Sequence, residues 1–521
     1  MMKLLQTSLQ TLQKSILKYI RTKNKIMENI LSLLKSSPFS DLISKSSNTE
    51  INFLVKKWKT LSLKPENKIS SINNEILYQF RGPNHSEVDE VISAAREGLS
   101  EISNIECYKR FEMLTRCKRI IEENFDLIAK VIVMDSSKPI SLAKREIEST
   151  LERLSFLNPD LFALKGEYIP SGIFAELGDR SVITLREPYG VAVLISPFNF
   201  PFFLHASKLT AALIAGNSTI SIPSEHTPLS VLLLVKIFEM AGFPKNTLTT
   251  IATSQTQIKE RIVNNQDIDI VSLTGSSKTG ESVIRSAGIK KLHLELGGKA
   301  FGLALKDANP ERVVECWFNG TLKNAGQRCD ALNVILIPKE LEKSLLSLIL
   351  DRLKTIKKVD PFREDCNLGP LISLSSANRL KKMIKEAIDQ DCEIILSERI
   401  INSYFPPHII KVFNTQIKLM TEEIFGPIFV YYIYKDLDEA ISIINSCKYG
   451  LDLAIFGEDI NYLMKLSRRL KAGQIHINDY PRHGTGYYPV GGVKSSGTGS
   501  KEGIFYTVQE MSYTKAIILK D

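Results

Sequence analysis

The chain opens in helical periodicity and, past its first third, turns to an alternation of short apolar runs and amphipathic stretches. Between residues 85 and 160 apolar positions recur at steps of three and four. That period predicts helices over Ser86–Ile102, Cys107–Val133 and Ser141–Leu157. Over residues 165–187 the period is lost, and Gly166, Pro170, Gly172 and Gly178 punctuate short β-rich runs, which read as a hairpin arm that leaves and returns. Strands are then predicted at Val191–Ile195, Thr219–Ile222, Leu248–Ile251, Ile268–Leu273 and Lys291–Leu296. Helices are predicted between them at Phe202–Ile214, Leu229–Ala241, Gln255–Val263 and Lys278–Ser286. This spacing is what βαβ crossovers need, so a parallel sheet with helices on both faces follows. A second α/β pattern starts near Ala300, with a strand over Ala331–Ile337 and helices over Glu340–Lys354 and Ala377–Gln390. A glycine-rich stretch from Gly484 to Gly503 precedes a last strand within Gln509–Leu519.

Length and charge narrow the class. With 521 residues, 43% of them hydrophobic, the chain can fill two or three domain cores. Its net charge of +9 is concentrated at one end: Lys3, Lys14, Lys18, Arg21, Lys23 and Lys25 lie in an acid-free stretch, and without them about +3 remains. The remainder is no basic groove, so nucleic acid is not an expected partner. Residues 1–27 suit a transit peptide or a surface helix, or a start assigned ahead of Met27. Residues 28–75, rich in Ser, Asn and Lys, read as a peripheral helical segment. No run reaches the roughly 18 apolar residues of a spanning helix, so no membrane partner is expected. Seven cysteines, Cys107, Cys117, Cys316, Cys329, Cys366, Cys392 and Cys447, contain no CxxC pair. They suit a reducing, cytoplasmic setting, and no metal is expected.

Four places carry candidate chemistry. Cys329 follows Asn324-Ala325-Gly326-Gln327-Arg328, a polar approach ending in a cation, a setting that lowers a thiol pKa and favours a thiolate nucleophile. Glu295 ends an apolar strand just before Gly297-Gly298 and so projects from the sheet's carboxyl edge, where open α/β sheets bind ligands. Asn199, in Ser196-Pro197-Phe198-Asn199-Phe200-Pro201, is an amide held between two prolines, able to donate to a developing oxyanion. Thr274-Gly275-Ser276-Ser277, between strand and helix, offers a helix N-terminus to a pyrophosphate.

In this order, and together with Glu422-Glu423-Ile424-Phe425-Gly426-Pro427, Tyr449-Gly450-Leu451 and Pro489-Val490-Gly491-Gly492-Val493-Lys494, these runs resemble the aldehyde dehydrogenase superfamily over about residues 75–521. The resemblance implies Cys329 as nucleophile, Asn199 and the Cys329 N–H as oxyanion donors, and Glu295 as the base that activates water. It implies an NADP or NAD site built from Ser196, Pro197, Glu225, Gly275, Ser276, Glu423 and Phe425. One departure stands out: the family's Lys-Pro-Ser-Glu run is Ile222-Pro223-Ser224-Glu225 here. A carboxylate without the lysine suits a ribose hydroxyl better than a 2′-phosphate.

Gly326-Gln327-Arg328-Cys329-Asp330-Ala331 and Ile477-Asn478-Asp479-Tyr480-Pro481-Arg482-His483-Gly484 are similar to the archaeal type of non-phosphorylating glyceraldehyde-3-phosphate dehydrogenase. That likeness implies a phosphorylated aldehyde held by Arg328, Arg482 and His483, with Arg153 a weaker candidate; lactaldehyde or another small aldehyde is the alternative. The implied fold is α/β: an N-terminal helical extension (1–74), a Rossmann-type cofactor-binding domain (75–161 and 188–295), an α/β catalytic domain (296–480) and an oligomerisation arm (162–187 and 504–521). An arm with an open edge needs a partner, so a homodimer or homotetramer is expected.

Overall fold

The computed structural model of the chain describes residues 29–43, 50–51, 66–71, 75–155, 162–357, 360–483 and 486–520. The readings of residues 1–27 lie outside the described residues.

Five parallel strands, Val191–Ile195, Ser218–Ile222, Leu248–Thr250, Ile270–Thr274 and Lys291–Glu295, stand side by side in the order fifth, fourth, first, second, third. Each matches a predicted strand to within two residues at either end. Alternate side chains serve opposite faces, as the pleat requires. Ala192 and Leu194 join one core with the helices Pro201–Ala215 and Pro228–Met240. Val191 and Val193 join another with Val88 and Ile92 of His85–Ser103 and Ile258 of Thr256–Asn264. Strand order reverses between Val191–Ile195 and Ile270–Thr274, and the crevice beyond their carboxyl ends is where such sheets bind ligands.

A second sheet of seven strands runs Glu393–Leu396, His408–Lys411, Ile428–Ile433, Val334–Ile337, Phe301–Ala304, Asp452–Phe456 and Gln474–Ile477, parallel except at Glu393–Leu396. Its apolar core is separate from that of the first sheet. The hairpin forms as expected: Arg180–Pro188 pairs antiparallel with Tyr168–Ile169 and, along its full length, with the chain-terminal Ser512–Lys520.

Two expectations are corrected. The long helix over Cys107–Val133 is two helices, Cys107–Glu123 and Phe125–Ser136. Asn124 leaves helical geometry at φ −118° and its side chain donates to Ile120 O, a local bond that competes with the helix. The segment read as helical over residues 28–75 is helical at 29–35, but Glu50–Ile51 and Glu66–Ile69 are strands flanking Ile76–Phe80. Strands this short carry too few residues to announce a period, and they exist because the Ile76–Phe80 strand offers both its edges.

Candidate active site

Cys329 sits at the end of a strained approach. The helix Pro310–Leu322 stops, and Asn324, Ala325 and Gly326 all take positive φ, 53°, 53° and 70°. Two non-glycine residues there store strain of roughly 1–3 kcal/mol each and persist only where the surroundings over-determine them. They do here. Asn324 Nδ2 donates to Asn199 O (3.1 Å), and Gln327 Oε1 accepts from the Ile372 N–H (2.8 Å). Gly326 must be glycine, because a Cβ would lie 2.3 Å from Gly426 O. Half-buried Cys329 follows, and its carbonyl lies so close to Gly298 that a Cβ there would be 2.2 Å away. The turn after Glu295 and the loop that carries Cys329 are therefore in contact.

Asn199 is fixed from three sides. Its Nδ2 donates to Gln327 O (3.0 Å), its Oδ1 accepts from the Phe200 N–H (3.1 Å), and its carbonyl accepts from Lys138 Nζ. The second Nδ2 hydrogen has no acceptor among the described residues. Asn199→Ala should lower kcat by about 10²–10³-fold, the usual loss for one oxyanion donor, with KM little changed; an unchanged kcat would exclude the role. Lys138 is itself fully buried, with an ion pair to Glu146. Glu146 Oε1 also accepts the N–H groups of Phe202 and Phe203, so one carboxylate caps the helix Pro201–Ala215 and neutralises the lysine. Glu146→Gln would leave that ammonium buried without a counter-charge and should cost about 3 kcal/mol of stability, read as a lower melting temperature.

Glu295 is buried at the last position of its strand. Oε2 accepts from the Gly492 N–H (3.2 Å), and Oε1 is buried with no partner among the described residues. Burial lifts its carboxyl well above the ordinary range, Glu502 adds to the lift, and Lys208 opposes it. Lys208, fully buried, pairs with Glu502 at 2.6 Å and donates to Ser272 Oγ at 3.1 Å.

The other crevice residues gather at the carboxyl edges. Ser276 caps the helix Ser277–Ala287, accepting from the Thr279 N–H (3.2 Å), and the Gly275 N–H donates to Glu295 O (3.0 Å). Glu423 Oε1 accepts from the Gly298 N–H (3.0 Å), and desolvation lifts its carboxyl to about 7. The Phe425 ring meets Phe198 edge-on at 5.7 Å, and Phe198 in turn meets His226. Glu225 pairs with Lys259 at 3.3 Å. Half-buried Pro197 lies between Ser196 and Phe198 on this edge. Ser196 is buried, its hydroxyl bonded to buried His205 (3.0 Å) and its N–H donating to Ile222 O (3.3 Å).

The expected cations are spoken for. Arg328 is buried, with Nε and Nη2 forked on Asp330 (2.8 and 2.7 Å) and Nη2 also on Pro481 O, while Nη1 has no partner among the described residues. Exposed Arg482 pairs with Asp479 at 2.7 Å. His483 pairs with buried Asp452 at 2.8 Å and is held protonated, up to about 9, by that carboxylate and by Asp330 against its desolvation. Arg153 is buried within Ile140–Ser155. One expectation fails: the Cys329 thiol is pushed well up, not down. Desolvation is the largest cause, Asp330, Asp452 and Glu423 add to it, and Arg328, already neutralised, opposes it weakly. Sequence reasoning passed over Lys138, Glu146, Lys208, Asp452 and Glu502. Asp330, two residues past Arg328, was the one signal in plain view.

The aldehyde dehydrogenase family model matches residues 58–517. The chain belongs to the aldehyde dehydrogenase family. This aldehyde dehydrogenase is 34% identical over 451 residues to the lactaldehyde dehydrogenase of Methanococcus aeolicus, covering 86% of this chain and 95% of the relative. A glyceraldehyde-3-phosphate dehydrogenase of Methanocaldococcus jannaschii, solved with NADP, superposes with a TM-score of 0.83 at 31% identity, over 88% of this chain and 100% of the other. A betaine aldehyde dehydrogenase of Staphylococcus aureus, solved with NAD+, gives 0.86 at 26% identity, over 95% of this chain and 97% of the other. Among the described residues, no helix of this aldehyde dehydrogenase is long and apolar enough to cross a membrane, and no cluster of His, Cys, Asp or Glu could hold a metal.

Proposed function

We propose that this aldehyde dehydrogenase oxidises glyceraldehyde 3-phosphate to 3-phosphoglycerate with NADP or NAD, without inorganic phosphate, as a glycolytic step. Cys329 loses its thiol proton to solvent, and its Sγ then attacks the aldehyde carbon to give a thiohemiacetal, whose oxyanion accepts from Asn199 Nδ2 and the Cys329 N–H. The chemistry a bound nicotinamide supplies is hydride acceptance. Glu295 takes a proton from the water that attacks the resulting Cys329 thioester; the C–S bond breaks, Cys329 Sγ is expelled and takes up a proton, and the carboxylic acid is released. The crevice fits the cofactor: the unpartnered Oε1 of Glu295 faces no donor of its own, and the helix start at Ser276 suits a pyrophosphate. Glu423 and Glu225 are acceptors for ribose hydroxyls. Ser196, Pro197, Gly275 and Phe425 would complete the site.

The observation that carries the phosphorylated substrate is Arg328. A buried guanidinium N–H without an acceptor is costly, and Nη1 lies one residue from the nucleophile, where a substrate oxygen would satisfy it. Arg482 and His483, on the loop beside it, are the further phosphate contacts. A second reading, oxidation of lactaldehyde or another small unphosphorylated aldehyde, is favoured by the aspartate partner that each of the three cations already has. Steady-state reduction of NADP and of NAD with glyceraldehyde 3-phosphate, glyceraldehyde and lactaldehyde, in phosphate-free buffer, separates the two. The first reading expects kcat/KM at least about 100-fold higher for the phosphorylated substrate, and equal or better rates on the neutral aldehydes overturn it.

Exposed apolar side chains on the arm, Tyr168, Leu185, Ile517 and Ile518, support a homodimer or homotetramer joined through Ser512–Lys520.

A further inference from the structure

At the carboxyl end of Ser218–Ile222 the position read as a lysine in the family run is Ile222, and its side chain completes an apolar cluster with Ile220, Val193 and Ile258. No cation can come from that position. One arrives from elsewhere. The strand Glu66–Ile69 is clamped onto the edge of the sheet, since Glu66 accepts from Thr253 Oγ1 (3.0 Å) and from the Ser254 N–H (2.7 Å). Lys68 on that strand is 2% exposed, and its register partner is Tyr78. Among the described residues its ammonium has neither a hydrogen bond nor a close ion pair, though Asp135 and Glu225 act on it at longer range, and it lines a cavity of about 340 Å³ with Glu66, Glu225, His226, Ser254 and Ser373. Asp135, the buried acid on the other side, is already occupied by Tyr78 and by Ser230. Glu225 is likewise occupied by Lys259. A buried ammonium that no hydrogen bond satisfies, on a residue lining the cavity beside Glu225, offers itself to an arriving anion.

We propose that Lys68 supplies, from the N-terminal segment, the cation that Ile222 does not, and that it binds the 2′-phosphate of NADP. The inference rests on the reading of this crevice as a nicotinamide-dinucleotide site. It offsets what Glu225 suggests by itself: Lys68 and Lys259 both act on that carboxylate, so a phosphate there has two ammonium groups to pair with. Burial already weakens the hold of Lys68 on its proton, to about 8, and an arriving phosphate removes that penalty.

The test is equilibrium binding by calorimetry of NADP+, NAD+, adenosine 2′,5′-bisphosphate and 5′-AMP to the full-length protein, without aldehyde. Wild type should bind adenosine 2′,5′-bisphosphate at least about tenfold more tightly than 5′-AMP. Lys68→Met and Lys68→Gln, each checked by its melting temperature, should weaken NADP+ and the bisphosphate at least about tenfold. NAD+ and 5′-AMP should move by less than about threefold, and Ile222→Lys added to Lys68→Met should restore NADP+. A wild type that prefers 5′-AMP overturns the proposal whatever the variants do. So do equal losses for NADP+ and NAD+, or no loss for either. Wild type that binds no dinucleotide at all overturns the cofactor reading itself, a result distinct from binding both without preference.

Discussion

Cys329→Ser should lose kcat by about 10⁴-fold or more and show no pre-steady-state burst of reduced cofactor. The serine hydroxyl fits where the thiol sits but titrates far above it. The surroundings that already push the Cys329 thiol up, desolvation together with Asp330, Asp452 and Glu423, would hold a serine alkoxide out of reach altogether. The same surroundings make a second readout. Because the folded thiol titrates above an ordinary cysteine, alkylation of Cys329 by iodoacetamide, followed on its own peptide, should be slower than that of a free thiol at pH 7.5 and should keep rising with pH past 9. A serine variant that keeps its burst would remove Cys329 from the role, and a thiol that alkylates faster than a free one at neutral pH would overturn its raised titration.

Glu295→Gln should separate the two halves of the reaction. Acylation needs no base at residue 295, so one equivalent of reduced cofactor should appear per site in a burst; turnover should then stall, with kcat down by about 10²–10⁴-fold. The pH dependence carries its own sign. Burial and Glu502 raise the pKa of Glu295, so the carboxyl stays protonated, and useless as a base, through the ordinary carboxylate range. It gains function as pH rises through that raised value. Wild-type kcat should therefore climb with pH on a limb that the glutamine variant lacks. A variant that loses burst and turnover together would mean that Glu295 acts before the thioester, not on it.

What could be read in advance was whatever is local. The central strands announce themselves because a parallel sheet buries both faces, so Val191–Leu194 is an unbroken apolar run. Asn199, Glu295 and Cys329 stand in short runs whose neighbours, prolines and paired glycines, are themselves the geometry. What escaped depends on partners distant in sequence. Lys138 lies in the short link between the helices Phe125–Ser136 and Ile140–Ser155, and Glu146 in the second of them, and nothing in either stretch tells that both are buried against Phe202 and Asn199. Arg328 reads as a free cation until Asp330 and Pro481 are seen to occupy it. Lys68 sits in a four-residue strand too short to show a period, and its importance comes from Ile222, more than 150 residues away.

Lys208 meets Glu502 across 294 residues, and Arg186 reaches Ser512 across 326. The Glu502 that closes the surroundings of Glu295 stands just ahead of the strand Ser512–Lys520 that completes the arm. On the ribosome this order has a consequence. The growing chain can build both sheets, yet Lys208 stays a buried charge without a counter-ion until Glu502 emerges. The arrival of Glu502 then completes the charge around Glu295, and the strand Ser512–Lys520 that pairs with Arg180–Pro188 follows it. A chain cut short near residue 500 would carry every motif of the site and lack the charge balance on which its chemistry rests.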